Sequence, residues 1–175
     1  SFQVDEVVII DGNFSEKALI NRINGELADQ LGNLLNRVLV MVEKNFNGEI
    51  PFYEHNDLEK ACVSILREVE EDLDNYRFNE ALNHIWFLVA EANKYIDEKK
   101  PWNLKEEDLA DVLYNLLECI RFIALMLIPF MPETSKKILR QLGIDEFSYK
   151  DFRWGLLKLG AKIKREEILF KKVEK

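Results

Sequence analysis

The stretch LADQLGNLLNRVLVMV at positions 27–42 decides the fold. Leu27, Leu31, Leu34, Leu35, Val38, Leu39 and Val42 recur at i, i+4, i+7 and i+8, one apolar stripe of an amphipathic α-helix and not the two-residue alternation of a strand. Ser15, with Glu16 next, offers a helix start upstream. Asn24-Gly25 can divide the region into a short and a long helix, and Asn47-Gly48 tolerates the left-handed turn that ends one.

The same period continues along the chain. Leu58, Cys62, Ile65, Leu66, Val69 and Leu73 stripe a second helix over about 56–74. Phe78, Ala81, Leu82, Ile85, Trp86, Val89, Ala92, Asn93 and Ile96 stripe a third over about 77–99, which Pro101 stops. Val112, Leu113, Leu116, Leu117, Ile120, Ile123, Ala124 and Leu127 mark a fourth over about 104–127, ended by Pro129. Pro132 suits the first turn of a fifth that runs to Gln141 or Leu142, with Gly143 closing it. Two segments do not read as helix. Residues 2–10 carry a β-prone Val/Ile run before the turn Asp11-Gly12-Asn13, and 145–175 is basic without a long stripe. The expected fold is all-α, an antiparallel bundle of about five helices with an irregular basic C-terminal tail. The expected divisions are 1–13 as the end of a preceding segment, 14–145 as the bundle, and 146–175 as a tail packing on the bundle or back toward a preceding domain.

With 175 residues, 47% hydrophobic and 32% charged, the chain suits one self-sufficient globular core. Seven Gly and four Pro exclude collagen and low complexity. Cys62 and Cys119 fall on apolar helical positions and lack ligand spacing, so they read as reduced core thiols and not as a zinc site. The longest apolar run, Phe122 to Pro132, is far short of the ~20 residues of a membrane span. The net charge of −8 opposes a broad nucleic-acid surface. It is uneven, however: nine acids face two bases in 49–76, whereas twelve bases face seven acids in 132–175. The acid run reads as a solvated helix face.

Catalytic patterns are missing. His55 and His84 have no Glu three residues before them, and there is no Gly-rich phosphate loop or nucleophile elbow. Asn33 and Arg37 are four apart and point away from the leucine stripe, so an amide and a guanidinium stand side by side. This is either an ordinary polar face or a donor pair for a ligand. Trp102, in Lys99-Lys100-Pro101-Trp102-Asn103, either caps the core or offers a plane on which an unstacked base can lie. Such a trio suits cytosine: N–H groups donate to its O2 and N3, and the amide oxygen accepts from its N4. Another base leaves a group unpaired at about 1–3 kcal/mol.

The run Ala18-Leu-Ile-Asn-Arg-Ile-Asn24 with Gly25 to Arg37, the run Tyr95 to Trp102, and Ile128-Pro-Phe-Met-Pro-Glu-Thr-Ser135 resemble methionyl-tRNA synthetases, as do Gly160-Ala-Lys-Ile163 and Ile168-Leu-Phe170. The resemblance covers nearly the whole chain from Asp11. It implies the anticodon-binding bundle of a cytoplasmic class I ligase. Asn33 and Arg37 would contact the cytosine that opens the CAU anticodon, and Trp102 would pack against the splayed bases. The implied partners are methionine tRNA, through its anticodon loop, and the catalytic domain of the same enzyme, with no membrane. The His-Ile-Gly-His and Lys-Met-Ser-Lys-Ser signatures of the family's catalytic domain and its four-cysteine knuckle do not occur. The chain therefore reads as a C-terminal piece with no cofactor of its own, while the resemblance implies ATP, and allows zinc, in the full-length enzyme. Two alternatives are the equivalent bundle of an isoleucine, valine, leucine or cysteine enzyme, and a helical scaffold that pairs through its acid helix.

Overall fold

The computed structural model describes residues 27–166 together with Ala18, Arg22 and Gly25. The β-prone run at 2–10, the turn at 11–13, the helix start at Ser15 and the residues from 167 onward lie outside the described residues. Five α-helices are present among those described: α1 Gly32–Phe46, α2 Glu59–Asp74, α3 Phe78–Lys99, α4 Glu106–Leu127 and α5 Pro132–Gln141.

Helix α4 is buried on nearly every side, and the fold puts it in the middle. From Leu109 to Leu127 each of its residues is buried except the half-buried Asp111. The other four helices pack on it, and α2 and α3 also pack on each other. Each supplies the stripe read above. Leu34, Leu35, Val38, Leu39 and Val42 of α1 are buried, as are Cys62, Ile65 and Val69 of α2 and Ala81, Leu82, Ile85, Val89, Ala92 and Ile96 of α3. Leu66 and Leu73 are only partly buried.

The ends follow from local chemistry. Asn47 adopts a left-handed conformation at φ 55°, and the Gly48 N–H donates back to the Val42 carbonyl at 3.1 Å, which closes α1. Ile128 is the last residue before Pro129 and caps α4; the N–H groups of Phe130 and Met131 then both donate to the Leu127 carbonyl. Helix α5 occupies the expected Pro132–Gln141. Helices α2 and α4 begin two or three residues later than their stripes suggest. The α2 start waits because residues 51–58 form a loop held from α4: the Glu54 and His55 N–H groups donate to Asp111 Oδ1 at 2.8 Å, and Asn115 Nδ2 donates to the His55 carbonyl at 2.7 Å. Gly25 is itself helical, and Leu27–Leu31 form a π-helical turn.

Residues 145–166 contain no α-helix and pack along α4 and the end of α1. Their backbone pairs with the segment after α1: Ile50 N–H donates to Ala161 O, Gly160 N–H to Ile50 O, and Ile163 N–H to Gly48 O, each at 2.9 Å. Gly143 makes room for this docking. Its φ is +84°, and a Cβ there would stand 2.8 Å from the Lys162 carbonyl oxygen. Gly143→Ala is therefore expected to destabilise the chain by about 1–3 kcal/mol. Its thermal midpoint, followed by circular dichroism, should fall by roughly 2–12 °C. An unchanged midpoint would mean that the tail does not hold this position.

Candidate nucleic-acid interface

The site is assembled from the first half of α1 and the link between α3 and α4. On α1, Asn33 and Arg37 are both exposed and one turn apart. The Asn33 amide nitrogen donates to the Asp29 carbonyl in the π-helical turn at 2.6 Å. That bond fixes the amide plane and leaves its oxygen as an acceptor.

The link is short and bent. Lys100 ends α3 in a left-handed conformation at φ 48°, a 3₁₀ turn spans Pro101–Asn103, and Glu106 is again left-handed at φ 47°. Two non-glycine residues at positive φ within seven positions cost about 1 kcal/mol each and hold the turn in one shape. Pro101 is buried and anchors the link, while Trp102 beside it is 58% exposed. Trp102 thus does not cap the core.

The bundle brings Arg37 and Trp102 together from 65 positions apart. The guanidinium carbon lies 6.0 Å from the centre of the indole, within cation–π reach. Arg37 Nη2 is also 4.0 Å from Asp97 Oδ1, on the last turns of α3. Both partners of that ion pair are well exposed, so it orients more than it stabilises. The sequence reading missed Asp97, although it lies inside the quoted stretch from Tyr95 to Trp102. Asn33 stands one turn before Arg37 on the same edge. The three residues singled out in the sequence therefore form one exposed surface with an aromatic plane, a fixed cation and an amide.

Other polar groups are structural. His84 Nδ1 is 2.6 Å from Asp72 Oδ2, and Arg77 Nε donates to Asp72 Oδ1 at 3.2 Å. Asp72 is only 3% exposed, so one member of the acid run faces inward and is satisfied there. His55 Nδ1 lies 3.0 Å from Asp111 Oδ2. The Tyr95 hydroxyl donates to Asp57 Oδ2 at 2.9 Å, and burial, then that bond, push its pKa well above the usual tyrosine range. Cys62 and Cys119 are fully buried. Contact with Cys119, then burial, raise the Cys62 thiol far above its ordinary value, so it stays protonated and inert. Among the described residues no group of three potential metal ligands converges, and no helix is long and apolar enough to cross a membrane.

Comparison with known families gives this geometry its context. Residues 56–171 match the family described as the anticodon-binding domain of tRNA ligase. The chain belongs to that family. A second match, to class I tRNA synthetases of the methionine type, covers residues 2–39. The domain is 46% identical over 176 residues to the methionine–tRNA ligase of Caldanaerobacter subterraneus subsp. tengcongensis, covering 94% of this chain. It is 39% identical over 175 residues to that of Thermotoga maritima, again covering 94% of this chain. It spans 28% of the length of each of these two relatives. Apo methionyl-tRNA synthetase from Mycobacterium tuberculosis superposes with a TM-score of 0.77 at 31% identity, over 95% of this chain and 36% of that one. The methionyl-adenylate-bound form of that enzyme superposes with a TM-score of 0.74. The bundle read from the stripes is thus the bundle of this family.

Proposed function

We propose that this domain reads the CAU anticodon of methionine tRNA within a methionine–tRNA ligase, and that Asn33, Arg37 and Trp102 are the reading residues. The observation that carries the proposal is the Arg37 guanidinium held 6.0 Å from the indole centre of an exposed Trp102. A base unstacked from the loop lies on the indole. Its Watson–Crick edge then faces α1, where Arg37 and the second N–H of the Asn33 amide donate and the Asn33 oxygen accepts. Cytosine presents two acceptors and one amino donor to that set, whereas uracil presents a donor at N3 and an acceptor at O4. Uracil would therefore set its N3–H against a guanidinium donor and leave the Asn33 oxygen unpaired.

No bond is made or broken on this domain. The match of residues 2–39 to class I tRNA synthetases of the methionine type supports assigning ATP and methionine chemistry to a catalytic domain of the same enzyme outside the described bundle. Binding energy gained at the anticodon commits the acceptor end to that distant site, so it appears in the rate of charging more than in affinity. The chain's net charge of −8 limits phosphate contacts, and binding by the domain alone is expected to be weak and salt-sensitive.

The test is a titration of the 175-residue chain with a CAU anticodon stem-loop and a single-base UAU variant at low salt. The CAU loop should bind at least about 5-fold tighter, as one unpaired buried group would give. Equal affinity for the two loops would overturn the reading.

A further inference from the structure

A cavity of about 570 Å³ lies between the end of α1 and the start of α4, and the anticodon residues named above do not line it. We propose that this cavity binds an aliphatic polyammonium ion of the spermidine class, with carboxylates on its ammonium groups and aromatic rings along its methylenes. The site stands apart from the anticodon reading, and no nucleotide is needed to fill it.

Size and walls are the first argument. The volume falls in the range of about 300–1,000 Å³ that small-molecule sites occupy. Phe46, Phe52 and Leu104 give the cavity apolar walls. Phe52 is 64% exposed, so its ring is open to water at a concave place. Its loop is nevertheless held: the Glu54 and His55 N–H groups, two and three residues on, donate to Asp111 Oδ1 of α4 at 2.8 Å. The loop wall is therefore ordered before a ligand arrives. An aromatic face attracts an ammonium group laid over it, and more strongly as water leaves.

Charge selects the ligand. Glu54, Glu106 and Glu107 line the cavity against one cation, Lys105, so three carboxylates and one ammonium give a net −2. None of these four side chains makes an ion pair or a hydrogen bond among the described residues. Glu106 and Glu107 lie in the first turn of α4, where the helix dipole itself favours acid. Glu54 is not on that helix; the loop carries it to the same cavity. Asn45 adds an acceptor, because its Nδ2 donates to the Met41 carbonyl at 2.9 Å and its Oδ1 is left over. The carboxylates are spread and do not converge: no group of three potential metal ligands meets among the described residues. A point cation such as Mg²⁺, which demands a tight octahedral shell, cannot engage them together. Ammonium groups spaced by methylenes can, while the methylenes lie on Phe46, Phe52 and Leu104. Aliphatic ammonium groups stay charged at pH 7, as lysine does. Bound there, the ion cancels carboxylate charge four and five residues after Trp102.

The experiment titrates spermidine into the 175-residue chain at low salt, without RNA, and follows it by calorimetry and by amide NMR shifts. One ion should bind per chain, and the shifted amides should include Phe52, Glu54 and Leu104. Glu54→Gln combined with Glu107→Gln should weaken binding by at least about 10-fold, as the loss of charge-assisted hydrogen bonds gives. Phe52→Ala should weaken it by about 2- to 5-fold, the share of a cation–π contact at an exposed site. Glu68→Gln combined with Glu70→Gln removes the same charge from exposed positions of α2 and should leave the affinity within about two-fold of wild type, as for exposed groups away from a site. Every substituted position is exposed, and circular dichroism verifies folding. Mg²⁺ at equal concentration should leave the cavity amides where they are. The proposal is overturned if the two double variants bind spermidine equally, if Mg²⁺ shifts the same amides as far, or if spermidine at up to ~10 mM shifts none of them.

Discussion

Arg121→Ala is expected to destabilise the chain by about 3–5 kcal/mol, the range for removing one member of a buried ion pair. Arg121 is 2% exposed and Glu118 is fully buried, one turn earlier on α4. Arg121 Nε and Nη2 reach Glu118 Oε2 at 2.8 and 2.7 Å. The remaining donors go to the tail, since Nη1 donates to the Asp151 carbonyl and Nη2 to the Arg153 carbonyl. Glu118 Oε1 in turn accepts the Leu157 N–H at 2.7 Å, and the Tyr114 hydroxyl donates to the Leu157 carbonyl at 3.2 Å. The pair therefore holds backbone groups of a segment whose only regular element among the described residues is the 3₁₀ turn Tyr149–Asp151. Loss of the guanidinium leaves a buried carboxylate uncompensated and two carbonyls unpaired. A thermal melt should show a fall of roughly 6–20 °C. The double change Glu118→Leu with Arg121→Met separates two accounts. Were the ion pair alone at stake, apolar replacement of both members would restore stability. Because Asp151, Arg153 and Leu157 also lose partners, at about 1–3 kcal/mol for each buried group, the double variant should stay destabilised. A double variant as stable as wild type would show that the tail does not depend on this network.

These residues mark the limit of what the sequence disclosed. The stripes of α1 to α5 were legible because each helix buries one face against a common centre, and period alone reports that. Pro132 and Gly143 placed the ends of α5 because each has one dominant local use. Glu118 and Arg121 were not legible as a buried pair. A charged pair three apart reads as a surface pair, and only the docking of residues 151–157 buries it. Asp72 misled in the same way: its place in an acid run suggested water, whereas His84 and Arg77 from beyond the next turn enclose it. The loop 51–58 was unpredictable because its order comes from Asp111 and Asn115, over 50 residues away. For the site, helix geometry alone set Asn33 beside Arg37. Their meeting with Trp102 required the left-handed turns at Lys100 and Glu106, which no glycine announces.

Trp102→Ala is expected to have the largest effect on RNA binding with the least effect on folding. The side chain is 58% exposed and sits on a turn anchored by the buried Pro101, so truncation leaves the core packed. A melt should stay within about 0.5 kcal/mol of wild type, as for an exposed position. Affinity for the CAU stem-loop should fall by about 1–3 kcal/mol, the value of one base–aromatic stack, or roughly 5- to 150-fold. The preference for CAU over UAU should also collapse. Arg37 reaches a base edge only if the base lies flat on the indole, and Asn33 one turn away depends on the same plane. Arg37→Lys supplies the contrast. It keeps the positive charge but loses the planar fork, so it should reduce discrimination more than affinity. The two variants thus separate plane from edge: one removes the surface that holds the base, the other the donors that test it. If Trp102→Ala keeps the CAU preference of wild type, the indole is not where the first base lies, and the roles proposed for Asn33 and Arg37 fall with it.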